Sequence, residues 1–211
     1  GSAGKLQMLQ QLVGNHQQRN ALFFTMVVML GHFMIIPFVN PYMEFNYGVS
    51  KQLTPMIYLV GGIASFFASH ALGRLADRFG KLRVYTSAVF SALPLIFIIT
   101  SVPGIPFFLM LLVFAAWFVS SSGRAVTAQA MVSHVVKPEQ RGSFQSFNSS
   151  MQQLGTGLAS IIAGWIVARD DHGKILHYNK LGYLSIFLLI LSIIMAHRVF
   201  KRFDFAHHPK E

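Results

Sequence analysis

Six long apolar blocks dominate this sequence, at about 21–43, 53–73, 84–102, 105–132, 144–168 and 181–200. None contains an Asp, and Arg124 is the only Lys or Arg deep inside any of them, Arg198 falling at the very end of the last. A transmembrane helix needs about 20 such residues. In hydrocarbon a backbone finds partners only within a helix or a closed barrel. A barrel would show short alternating segments instead, so the blocks predict helices. Six spans use up most of 211 residues, which excludes a large extramembrane catalytic domain. Only 11% of the chain is charged, against about 25% in a soluble domain. The chain has no cysteine, which excludes disulfides, thiolate metal sites and thiol catalysis together.

Lys and Arg fall unevenly on the two sides of such a bundle. Twelve of the 16 loop and terminal bases lie in the connections shared with the termini, among them Arg19, Arg74, Arg78, Lys81, Arg83, Lys137, Arg141, Arg198 and Lys201. The opposite side holds Lys51, Arg169, Lys174 and Lys180. The positive-inside bias therefore puts both termini in the cytoplasm. The net charge of +10 is spread over short loops as orientation signals, so nucleic acid is not an expected partner. Residues 1–4 read as a cloning scar, and the chain is expected to be part of a longer protein. Residues 5–19 place Leu6, Leu9, Leu12 and Val13 on one face and predict a cytoplasmic amphipathic or linker helix. The bundle is expected over 20–203, with a cytoplasmic tail over 204–211.

The second block carries Tyr58, Gly62, Ser65, Ser69 and Gly73, and the fifth carries Ser149, Gln153, Thr156, Ser160 and Gly164, at the same spacings. Each set forms one small or polar stripe, the kind of surface that lets membrane helices approach closely. The match predicts two inverted three-helix repeats, with the second and fifth helices equivalent. The expected fold class is an all-α membrane protein, a six-transmembrane-helix bundle.

Between the second and third helices runs Gly73-Arg74-Leu75-Ala76-Asp77-Arg78-Phe79-Gly80-Lys81-Leu82-Arg83. Gly80 permits the positive φ of a tight turn, and Asp77 is one acid among four bases. The loop resembles the signature loop of the major facilitator superfamily. Pro37-Phe38-Val39-Asn40-Pro41-Tyr42, Lys137-Pro138-Glu139-Gln140-Arg141-Gly142-Ser143 and Gln153-Leu154-Gly155-Thr156-Gly157-Leu158 extend the resemblance. It is closest to the carboxy-terminal half of a twelve-helix permease of the multidrug or sugar-efflux type. The resemblance implies half of a secondary transporter in a bacterial inner membrane, moving a small molecule by alternating access against an amino-terminal half or a second copy. It also implies a conformational switch at Gly73, Asp77, Arg78, Gly80, Lys81 and Arg83. The fifth helix lacks the Gly-Pro pair of the family's antiporter motif, and no helix carries a deep acid, so proton coupling is left to the other half or absent.

Arg124 stands about 28 Å along the fourth helix at 1.5 Å per residue. A charge there costs at least about 2.5–3.5 kcal/mol on insertion scales, so it should face the interior, water or a partner. The open alternatives are a substrate or coupling role, pairing with Asp77, and snorkelling. His32 and His70 can carry a proton near neutral pH or pack as hydrogen-bonded core groups. Asn40, Tyr42, Trp117, Ser121, Gln129, Asn148, Gln152 and Gln153 could line a polar cavity or serve as interhelical glue. Asp170, Asp171, His172 and His177 sit in an outer loop and are not expected to hold a metal. No enzyme motif and no cofactor site is present in the sequence. The alternative to a half transporter is a self-standing six-helix homodimer or scaffold.

Overall fold

A computed structural model of the chain describes residues 15–204, with side chains to Lys201. The first rod is broken in two, α1 (His16–Phe33) and α2 (Ile36–Phe45). Asn15 starts it, its side-chain carbonyl accepting from the backbone N–H of Gln17 and Gln18 at 3.0 and 3.4 Å. That cap places residues 16–19, the end of the segment expected over 5–19, in the first rod. The rest of that segment, the scar at 1–4 and the tail beyond Asp204 lie outside the described residues. The break falls just before Pro37, whose missing N–H and ring crowd the preceding turn. The last rod repairs the loss: Tyr178 donates to the Ile35 carbonyl at 3.0 Å and Ser185 to that of Gly31 at 2.6 Å.

The chain continues as α3 (Pro55–Phe79), α4 (Lys81–Ser101), α5 (Phe107–Ser133), a 3-10 turn (Pro138–Gln140) and α6 (Arg141–Ile166). Short strands β1 (Ala168–Arg169) and β2 (Ile175–Leu176) then pair antiparallel before α7 (Tyr178–Asp204). Asn46 clamps this hairpin, donating to the Ile175 carbonyl at 3.0 Å and accepting from its N–H at 2.8 Å. The same corner holds Tyr47, which donates to the Val102 carbonyl. Burial, and then its neighbour Tyr42, push the Tyr47 phenol up to about 12, so it stays a neutral donor at physiological pH.

The described residues thus form an all-α bundle of six rods. Five are long and apolar enough to cross a membrane: His16–Phe45, Pro55–Phe79, Lys81–Ser101, Phe107–Ser133 and Tyr178–Lys201. The sixth rod, α6, forms where the fifth apolar block was expected but is not among the five, because Gln, Asn, Ser and Thr recur along it. Packing joins α3 and α4 to α5, α1 to α6 and α7, and α4 to α7. Phe24 is the hub of the core, with the rings of Tyr85 and Phe200 edge-on at 5.4 and 5.1 Å.

The small-residue stripes do not make the close contacts expected of them. A Cβ added at Gly62, Gly73 or Gly164 would meet nothing within 4 Å. The close approaches use the neighbouring positions: at Gly61 a Cβ would strike the Phe118 ring, and at Gly155 the Met26 carbonyl oxygen at 2.5 Å. One residue is 100° around a helix, so the α6 stripe looks away from these contacts, while the α3 stripe borders them, its Tyr58 meeting the Phe118 ring edge-on at 6.2 Å.

Candidate functional site

The signature loop is shorter than any ordinary helix connection. Gly80, at φ +94°, is the single residue between α3 and α4. Its amide closes the last turn of α3 on the Ala76 carbonyl at 3.1 Å, and its own carbonyl opens α4 by accepting from Val84 at 3.2 Å. Lys81 and Arg83 stand at the N-terminus of α4, where a cation opposes the helix dipole, and Asp77 one turn away offsets them. Lys81 Nζ lies 3.9 Å from the Asp77 carboxylate. Pairing of Asp77 with Arg124 was one of the open alternatives, and Arg78 is its neighbour in sequence. Arg78 instead lies over the Phe79 ring, 5.2 Å from its centroid, and Arg124 is engaged elsewhere. The Asp77 side chain is 79% exposed.

Arg124 lies in the core at 2% exposure. Trp117, Ser121 and Arg124 are spaced four and three apart on α5 and therefore share a face. Arg124 Nη2 donates to Ser121 Oγ at 2.8 Å and to His32 Nδ1 at 3.2 Å. That contact fixes the His32 tautomer, with its proton on Nε2. The half-buried His32 ring stacks on Trp117, centroids 5.1 Å apart. Arg124 Nη1 and Trp117 Nε1 are both buried without a hydrogen-bond partner. Close by, Tyr85 and Ser192 share a buried hydrogen bond of 2.6 Å.

A second polar group links three rods. Thr25 on α1 donates to Asn148 Oδ1 on α6 at 2.7 Å, and Asn148 Nδ2 donates to Gln129 Oε1 on α5 at 3.3 Å. Gln129 in turn donates to Gln145 at 2.7 Å. Asn148 is 1% exposed, so its two bonds satisfy a side chain that water does not reach. The network borders a half-enclosed cavity of about 370 Å³, lined by Thr25, Val28, Met29, Ala125, Val126, Ala128, Gln129 and Gln152.

Of the predicted residues, the structure brings Arg124 to His32 and Gln129 to Gln152. It leaves three apart. His70 is exposed and bonds to its own helix at the Phe66 carbonyl, 3.1 Å away. Asn40 and Gln153 are exposed and do not line this cavity. Sequence reasoning missed Thr25 and Gln145; a polar residue in an otherwise apolar α1 stretch was the available signal for Thr25. Among the described residues no group of three His, Asp or Glu could hold a metal. In comparison with known families, the model of the Major Facilitator Superfamily matches residues 21–209.

Proposed function

The chain belongs to the Major Facilitator Superfamily, and from that premise we propose that it is one half of a secondary active transporter that exports a small molecule by alternating access. Membership makes it a multi-pass membrane transport protein and not an enzyme. The observation that carries the finer reading is the half-enclosed cavity between α1, α5 and α6, whose polar wall is held by a satisfied hydrogen-bond network. A partner bundle closing its open side would complete a site between two halves.

The packing supports an inverted repeat. If the first three rods are exchanged with the last three in order, the second rod on the fourth becomes the fifth on the first. The third on the fourth becomes the sixth on the first, and the third on the sixth maps onto itself. The small-residue stripes of α3 and α6 are equivalent under that exchange, and the open space at Gly62, Gly73 and Gly164 suits the approach of a second bundle. In this reading the signature loop is a cytoplasmic latch, Gln129 and Gln152 face the path of the cargo, and the membrane is a bacterial inner membrane.

Orientation is the first test. Cysteines placed singly at Gly80 and Gly142 should be closed to an impermeant maleimide from outside intact cells. Cysteines at Gly48, Gly104 and Gly173 should react. Gly48, Gly104 and Gly173 all have positive φ, between 68° and 81°, and occupy turns between rods or strands. Labelling of Gly80→Cys from outside contradicts a cytoplasmic latch.

A further inference from the structure

The buried guanidinium of Arg124 has no acid to answer it. None of α1, α4, α5 and α6 contains an Asp or Glu, and among the described residues Asp77 and Lys81 form the one ion pair. What Arg124 has instead are two neutral acceptors on a single nitrogen, Ser121 Oγ and His32 Nδ1. An arginine carries five N–H donors in a planar fork. Here Nη1 is buried and unpartnered, as is the indole N–H of Trp117 on the same face of α5. The site has donors and positive charge to spare, and what it lacks is an anionic oxygen pair. A carboxylate meets a guanidinium with two parallel charge-assisted bonds.

We infer that Arg124 and Trp117 hold the carboxylate of a small organic monoanion, with His32 as the neutral group that occupies the guanidinium when the site is empty. The inference rests on the transport reading and names the class of cargo. One guanidinium and no second cation favour a single negative charge. The body of the ligand has a place as well. Val28 and Ala128 line the cavity, and each stands four residues, one helical turn, from His32 and Arg124 respectively. The cavity wall is mostly apolar, with Met29 and Val126 among its residues and Gln129 and Gln152 as its polar groups beside Thr25. His32 is half-buried where Arg124 is buried, and in this proposal its rotation is what opens the guanidinium toward that cavity.

Three matched probes read this out on the full-length transporter in detergent: phenylacetate, 2-phenylethanol and phenethylamine, which differ in the charge of one end. Equilibrium dialysis should show saturable binding of phenylacetate at least about tenfold tighter than of either other probe, about 1.4 kcal/mol. Arg124→Gln should abolish that preference. Trp117→Phe keeps the ring, removes the N–H, and should weaken phenylacetate about threefold while leaving 2-phenylethanol unchanged. Should Arg124→Gln fail to fold, the wild-type preference and Trp117→Phe decide the matter. Equal binding of the three probes overturns the inference, and is what a guanidinium already matched by an acid of the other half would give. Charge-selective binding without counterflow of labelled phenylacetate in proteoliposomes would keep the site and strike the transport reading instead.

Discussion

Gly155→Val is expected to force α6 away from α1 and to lower the thermal midpoint of the purified protein by about 6–12 °C. Even the first carbon of a side chain at 155 would sit 2.5 Å from the Met26 carbonyl oxygen, with Met29 Cβ at 3.0 Å and the Leu30 amide nitrogen at 3.3 Å. The nearest atom is main chain and cannot rotate aside, so one helix must move. Overpacking of this kind costs about 3 kcal/mol at the upper end of its usual range. Each kcal/mol is about 2–4 °C for a chain of this size. The damage reaches the cavity, because Asn148 lies two turns from Gly155 on the same face and its bond to Thr25 is 2.7 Å long. Gly157→Val is the control: a Cβ there meets nothing within 4 Å, and valine is the better helix former. A scanning-fluorimetry trace showing equal midpoints for the two variants would contradict the packing described for α1 and α6.

Asp77→Asn should leave folding nearly intact and shift the full-length protein toward its inward-facing state. An exposed ion pair such as Asp77 with Lys81 is worth about 0–1 kcal/mol, and Asp77 is 79% exposed. Its removal therefore lowers the thermal midpoint by at most about 4 °C. Conformers of a transporter differ by a few kcal/mol, so a loss too small to unfold the bundle is large enough to change their populations. The acid offsets Lys81 and Arg83 at the start of α4, and an acid held there can also face the positive end of a helix in the partner half. Paired spin labels on the cytoplasmic ends of the two halves should report longer distances in the Asn variant. An unchanged distance distribution would reduce Asp77 to an ordinary loop acid.

The rods were legible because hydrocarbon leaves the backbone so few choices, but the break ahead of Pro37 falls inside what was read as one block, 21–43. The turn at Gly80 was legible because one residue between two helices demands a conformation that glycine adopts freely. Rotation about a helix axis was not. The stripes through Gly62 and Thr156 were read as contact surfaces, yet the close contacts belong to Gly61 and Gly155, one position and 100° away. Depth was also hidden. Arg124 was open to pairing with Asp77, whereas the structure sets it against His32, 92 residues distant in sequence, a proximity no local pattern encodes. His70 and Gln153 carried the right chemistry on faces that point out of the bundle, and the polar run in α6 that weakens its hydropathy is what supplies Gln152 to the cavity wall and Asn148 to the hydrogen-bond network beside it.

The claim that this cavity lies on a transport path opening to each side in turn is tested most directly by a single cysteine at Gln152, on its wall, in the full-length protein. In sealed right-side-out and inverted membrane vesicles, Gln152→Cys should react with a membrane-impermeant maleimide from both sides. Reaction from one side only would contradict alternation, and reaction from neither would mean that the cavity faces lipid or stays closed and that the cargo passes elsewhere.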